Sequence, residues 1–246
     1  MAHGFCVSDY AFAHRGLWDE TRPENSLSAF RAARAAGVGA ECDVHLSRDG
    51  IVVVHHDTSL GRLSGQPLNI SDVDAEWLSQ TPLLNTQETI PSLAQALAAL
   101  RDQPMLVELK VSPTTDRDAL ARATLRSVGT HDGPVALMSF DGAILALLRT
   151  SGTDLPLGLL TTPLYLKSEE GRGDVLNLIG ALSLDFFAPH VIDAADGRAL
   201  VDDQNIDLAC WTVAMNEHLQ LASEAKAAVI FENLPPHLVT PAGAPK

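Results

Sequence analysis

The sequence predicts an eight-stranded α/β barrel of the TIM (β/α)8 type, on three observations. Short apolar runs with strand character alternate with alanine- and leucine-rich stretches of helical period, the order expected of parallel βαβ units. One further apolar run follows its predecessor too closely to be a crossover, and so falls outside the parallel count. No G-x-G-x-x-G follows the first run, which argues against the alternative of an open, doubly wound sheet.

In chain order the strand-like runs are YAFAHR (10–15), VGAECDVHL (38–46), MLVELK (105–110) and VALMSF (135–140). LPLGLLTT (155–162), DFFAPH (185–190), DLACWTV (207–213) and AAVIFE (227–232) complete the set. Most are separated by helical stretches such as SLSAFRAARAAG, IPSLAQALAALRD and DRDALARATLRSVG. IVVVHH (51–56) is divided from the strand before it only by SRDG, a linker that permits an antiparallel return but no crossover. Setting it aside as a hairpin arm leaves eight strands, the number that closes the barrel. Residues 58–90 hold many turn formers and little periodicity, and are expected to form a long excursion over the barrel mouth within a single domain spanning 1–246. The closing TPAGAPK is expected to be loose.

At 246 residues and 46% apolar composition the chain has ample material for a core. Its net charge of −14 argues against a nucleic-acid partner and against adsorption to an anionic membrane. An anionic substrate is still compatible, because a local cation reverses the field inside a cleft. The first residues show no basic segment followed by an apolar run, and nothing approaches the roughly 18 apolar residues of a membrane span. A cytoplasmic protein without stable membrane association is expected. Cys6, Cys42 and Cys210 are odd in number, scattered and without CxxC spacing, which suits free thiols in a reducing compartment.

The chemistry concentrates where strands end. Period two turns Glu41 and Asp43 to one face of their strand and Cys42 to the other, and sets Glu108 and Lys110 on a shared face of theirs. Neighbouring strands lie about 4.8 Å apart, so Glu41, Asp43 and Glu108 can converge. Three carboxylates without thiolate or imidazole suit a hard cation such as Mg²⁺, Ca²⁺ or Mn²⁺; the alternative is pairing with Arg15 and Lys110 and no metal. His14 and His56 are candidates for acid–base work, against a structural role for each. His55 faces away from His56 and is expected to be structural. His45 shares the face of Glu41 and Asp43 but lies beyond them, and has no assigned role. His190 ends its strand at the mouth, where a substrate contact is open to it but unsupported by any partner in the sequence, and His3, His131, His218 and His237 read as surface or loop residues.

The ordered set AHRG (13–16), PENS (23–26), ECDVHLSRDG (41–50), VVVHHD (52–57), IPSL (90–93), ELK (108–110) and WTV (211–213) resembles the glycerophosphodiester phosphodiesterase family, over residues from about 10 to about 235. Each string alone is weak; the ordered set is specific. The resemblance implies a TIM barrel with a bound divalent cation, hydrolysing glycerophosphodiesters to sn-glycerol 3-phosphate and an alcohol. It implies Glu41, Asp43 and Glu108 as metal ligands and His14 and His56 as the acid–base pair. Arg15 and Lys110 match phosphate-contacting positions, and Glu24 and Asn25 match residues that buttress or complete the site. Trp211 matches an aromatic at the substrate cleft, with barrel packing as the equal alternative. It further implies that the substrate's own glycerol hydroxyl attacks phosphorus, giving a cyclic phosphate that water then opens.

This chain departs from the family pattern at its last strand, where a Thr-Asp or Thr-Asn pair before proline is replaced by FENLP, with Glu232 in place of threonine. The excursion after Asp57 is also short beside members that carry a larger inserted module. Both departures are expected to act at the rim, on substrate choice more than on chemistry. Two other readings compete: a phospholipase C-like or sphingomyelinase D-like barrel, and a non-catalytic phosphodiester-binding barrel. An acidic surface without membrane-binding features weighs against the first, and the full set of histidines and carboxylates against the second.

Overall fold

A computed structural model describes residues 5–239. His3 and the tail at 240–246 therefore lie outside the described residues. The chain opens with β1 (Phe12–Ala13), α1 (Leu27–Ala35), β2 (Gly39–Leu46) and β3 (Val52–Val54). Two short turns, α2 (Gly61–Ser64) and α3 (Ala75–Leu78), lead to α4 (Leu93–Leu100). Regular alternation follows: β4 (Met105–Leu109), α5 (Arg117–Val128), β5 (Val135–Ser139), α6 (Gly142–Thr150), β6 (Leu157–Thr161) and α7 (Glu169–Leu182). The last elements are β7 (Phe186–Pro189), α8 (Ala194–Val201), β8 (Asp207–Val213), α9 (Asn216–Glu224) and β9 (Ala228–Phe231).

Eight of these strands run parallel, and the cylinder closes because β1 pairs with both β2 and β9. β3 returns antiparallel along the far end of β2, through Val44↔Val54 and Leu46↔Val52, as the short SRDG linker requires. Five helices, α1 and α4 to α7, start at a residue whose side chain caps them. Ser26, Asp116, Asp141 and Ser168 each accept from a backbone N–H in the first turn, and Ser92 forms a capping box with Gln95.

Alternation along the strands builds two apolar layers. Leu106, Ala136, Met138, Leu160, Phe186, Ala188, Ala209 and Ile230 point inward and fill the barrel. Their neighbours Val107, Leu137, Leu159, Phe187 and Cys210 point outward beneath the helices. Both faces are covered, so the strands read as nearly continuous apolar runs. Residues 58–90 add a third cluster of their own, in which Leu60, Leu63, Ile70, Leu78 and Leu83 pack on Val53 of β3 and on Ile90. Short helical turns organised by one small core hide such a segment from a periodicity search, because no single turn is long enough to show a stripe.

The inner layer is filled to contact. A Cβ at Gly158 of β6 would fall inside the Phe186 ring of β7, so only glycine leaves that ring its place. Gly158→Ala is expected to lower stability by about 1–3 kcal/mol, the usual range for overpacking a filled core. Denaturant unfolding measures it, and an unchanged midpoint would mean that the ring has room to move.

Candidate functional site

The site lies at the C-terminal ends of the strands, where β2 and β4 are in register. Asp43 sits directly opposite Glu108, and Glu41 opposite Leu106. Inward alternation then brings Glu41, Asp43 and Glu108 together, all buried, each offering a carboxylate oxygen within 4.8 Å of the others. Cys42 points the other way into the outer layer, its thiol pushed up by burial. Among the described residues this is the one cluster of acidic, histidine or cysteine side chains with ligand spacing.

Two cations and an amide answer part of the negative charge. Lys110 Nζ lies 2.8 Å from Glu108 Oε1 and 3.2 Å from Asp43 Oδ1. Arg15 Nε lies 3.5 Å from Asp43 Oδ2, and Asn25 Nδ2 donates to the same oxygen at 2.9 Å. The backbone N–H of Arg15 donates to Glu41 Oε2 at 3.0 Å. Burial alone would raise the Asp43 carboxyl, but Lys110 and Arg15 outweigh it and hold it below the carboxylate range. Glu108 is pushed up to about 7 by burial, with Lys110 opposing and Asp43 adding repulsion. Glu41 is raised well above the usual range by burial and by repulsion from Asp43 and Glu108.

The set therefore fits a cation. Glu41 Oε1 is buried without a hydrogen-bond donor, and Asp43 Oδ1 has no hydrogen bond beside its ion pair with Lys110. Hard oxygen donors of this kind, with no thiolate among them, suit Mg²⁺, Ca²⁺ or Mn²⁺. Pairing with Arg15 and Lys110, the alternative reading of these carboxylates, is present too. Among the described residues it leaves Glu41 without a lysine or arginine ion pair.

His14 and His56 line the same cavity, of about 230 Å³. His14 Nδ1 is bonded to Glu232 Oε2 at 2.8 Å, and its Nε2 lies 4.0 Å from Glu41 Oε2. His56 Nδ1 is bonded to Asp57 Oδ1 at 2.7 Å, and burial lowers the basicity of this imidazole. Both rings are thus tied at Nδ1 by a carboxylate. His55 points elsewhere, bonding the Asp57 carbonyl at 2.8 Å. His45 Nε2 donates to the His56 carbonyl at 3.1 Å, and burial lowers its pKa to about 4, so it serves as a neutral brace under His56.

Opposite these polar groups stand Met138, Phe140, Leu160, Trp211 and Ile230. Trp211 Nε1 donates to the Ala188 carbonyl at 3.1 Å, and its ring contributes to the cavity wall. Its edge contacts are with Phe140 and His190. A second cavity of about 400 Å³ adjoins the first through His56, Glu108, Lys110 and Phe140, and continues past Thr58, Ser139 and Asp141. A larger cavity, about 600 Å³ beside Arg198, Asp207 and Lys226, is lined by the beginnings of β8 and β9, and the acidic cluster is not part of it.

Glu24 is buried between two guanidinium groups, bonding Arg15 Nη1 at 2.9 Å and both terminal nitrogens of Arg62. Arg62 also reaches Asp57 Oδ2 at 2.6 Å, so an unbroken polar chain runs Arg15–Glu24–Arg62–Asp57–His56. Sequence reasoning missed Arg62 and Asp57 as parts of the site. Asp57 closes the VVVHHD string, a visible signal, whereas nothing in LGRL marks Arg62. Glu232, expected to act at the rim on substrate choice, bonds His14.

Residues 14–235 match the glycerophosphoryl diester phosphodiesterase family. A probable glycerophosphodiester phosphodiesterase 1 of Mycobacterium tuberculosis is 29% identical over 92% of this chain and 89% of its own. Among solved structures, an Oleispira antarctica phosphodiesterase in complex with the product sn-glycerol-3-phosphate superposes with a TM-score of 0.81, at 20% identity, over 93% of this chain and 94% of that one. A putative glycerophosphoryl diester phosphodiesterase of Agrobacterium tumefaciens gives 0.80 at 23% identity, over 96% of each chain. At such identities these structures establish the shared barrel fold.

Replacing Glu41 by Gln preserves shape and removes one charge, so affinity for a divalent cation is expected to fall. Calorimetric titration of Mg²⁺, Ca²⁺ or Mn²⁺ into Glu41→Gln decides it, and unchanged affinity for all three rejects the ligand assignment. Cys42→Ala, one residue away on the opposite face, is expected to alter stability and leave metal affinity intact.

Proposed function

The chain belongs to the glycerophosphoryl diester phosphodiesterase family and is a phosphoric diester hydrolase, and from that premise we propose that it hydrolyses glycerophosphodiesters to sn-glycerol 3-phosphate and an alcohol. A divalent cation at Glu41, Asp43 and Glu108 and proton transfer by His14 and His56 complete the proposal. The observation that carries it is a single cavity holding three buried carboxylates, two cationic side chains and two imidazoles. The glycerol phosphate bound by the Oleispira antarctica enzyme supports this half of the substrate.

When bound, the cation supplies Lewis-acid neutralisation of charge on a nonbridging phosphate oxygen. Arg15 and Lys110 place positive charge on the same wall, held there by Glu24, Asp43 and Glu108. One imidazole takes the proton from the glycerol hydroxyl as its oxygen bonds phosphorus, while the other protonates the departing alcohol oxygen as the P–O bond breaks. The cyclic phosphate that results is opened by water with the two roles exchanged. A neighbouring hydroxyl on the same molecule acts at high effective molarity, which favours this route over direct attack by water.

Trp211, Phe140 and Leu160 form the apolar wall against which the glycerol carbons pack, and the adjoining cavity past Thr58 receives the alcohol. Asn25 and Glu24 hold the ligand and phosphate-binding groups in place. Residues 1–246 act as one catalytic domain on a small-molecule substrate in the cytoplasm, with 58–90 supplying one side of the mouth. No helix among the described residues is long and apolar enough to cross a membrane.

Alanine at His14 or at His56 is expected to lower kcat by about 10²–10⁴-fold in a folded protein. His55→Ala should affect stability more than turnover, and equal kinetic damage at His55 and His56 would refute the division of roles. A substrate analogue lacking the hydroxyl next to the phosphoester is expected to bind and scarcely react. Release of the alcohol from the deoxy analogue at the parent's rate, with binding measured separately, would replace ring closure by direct attack of water.

A further inference from the structure

Glu232 is where this chain leaves the pattern that the rest of its site follows, and its contact is with a reacting group. Backbone pairing puts it there. β1 and β9 run parallel with Ala13 opposite Phe231, and the His14 N–H donates to the Phe231 carbonyl at 2.8 Å. The next residues along the two strands, His14 and Glu232, therefore lie side by side. The Glu232 N–H is fixed in turn on the Val213 carbonyl at 3.1 Å. From this anchored backbone the side chain reaches His14 Nδ1 at 2.8 Å.

A carboxylate only accepts, so the hydrogen of the neutral ring must sit on Nδ1. Nε2 then carries its lone pair on the side of the acidic cluster, 4.0 Å from Glu41 Oε2. The hydrogen bond from His14 holds the Glu232 carboxyl below its ordinary range, with burial opposing. Among the described residues no lysine or arginine ion pair competes for Glu232, whereas Asp57, the partner of His56, is shared with Arg62.

We propose that Glu232 is the positioning residue of His14, holding its ring in one tautomer and one orientation with Nε2 available to the phosphodiester. This rests on the assignment of His14 to proton transfer. It gives the substitution a role in the chemistry, distinct from a contact with the substrate: a contact would act through KM and would not depend on His14.

A double-mutant cycle tests it, with glycerophosphocholine as substrate and divalent cation in excess. Glu232→Ala is expected to lower kcat on the order of 10²-fold, the lower end of what a positioned acid–base group contributes, with KM changed by less than about twofold. Glu232→Gln, whose amide oxygen still accepts from Nδ1–H, should recover most of that loss. In the His14→Ala background Glu232→Ala should cost nothing further. A second readout needs no turnover: ¹⁵N NMR of the His14 ring should show the hydrogen on Nδ1 in the native protein and a mixture of tautomers in Glu232→Ala. The proposal falls if kcat survives Glu232→Ala, if the loss is equal in both backgrounds, if it appears in KM, or if the native ring carries its hydrogen on Nε2. Full activity in His14→Ala would instead remove the underlying assignment of His14, an outcome read from a different variant.

Discussion

Three like charges enclosed at one end of the barrel are the constraint to which the rest of the site responds. Glu41, Asp43 and Glu108 are buried, so each charge calls for an answer from the protein or from an ion. The protein answers unevenly. Asp43 receives Lys110, Arg15 and the Asn25 amide, and Glu108 receives Lys110. Glu41 receives a backbone N–H and retains one oxygen without a donor. Burial, with repulsion from Asp43 and Glu108, keeps its carboxyl raised, and the missing donor makes this corner the place where a cation would relieve most repulsion.

Providing the N–H requires an unusual loop. Arg15 and Asn25 both adopt left-handed backbone, with φ of 59° and 57°, conformations that side chains other than glycine adopt at a cost. Two interactions hold them there: the Asn25 N–H bonds the Arg15 carbonyl at 2.8 Å, and both side chains reach Asp43. The AHRG and PENS strings are thus one structure, in which local strain is retained because the buried carboxylates gain donors from it.

The excursion at 58–90 extends the same network outward. Its small core seats α2 against β3, and α2 presents Arg62 to Glu24 and Asp57. Orientation of His56 on the hairpin is thereby linked to Glu24 at the opposite lip, without either residue touching the other. His14 is braced by a different device, the single carboxylate of Glu232 at the end of β9. Both imidazoles are held at Nδ1, by partners of different chain origin and different remaining charge.

Local regularity made much of this legible from the residues alone. Alternation with period two placed Glu41 and Asp43 together and Cys42 apart, a four-residue linker dictated the antiparallel return, and the count of remaining strands gave the barrel. These features depend on residues close in the chain, where backbone geometry leaves few choices. Contacts across the cylinder were not legible. Arg62 lies 38 residues from Glu24, and its segment shows no period because its core is assembled from turns. Glu232 lies 218 residues from His14 and meets it only because β9 closes onto β1. Closure makes neighbours of the first and last strands and sets their register. Which side chains face each other across that seam is decided by the packing of the whole barrel, so only the tertiary structure could bring a carboxylate to His14.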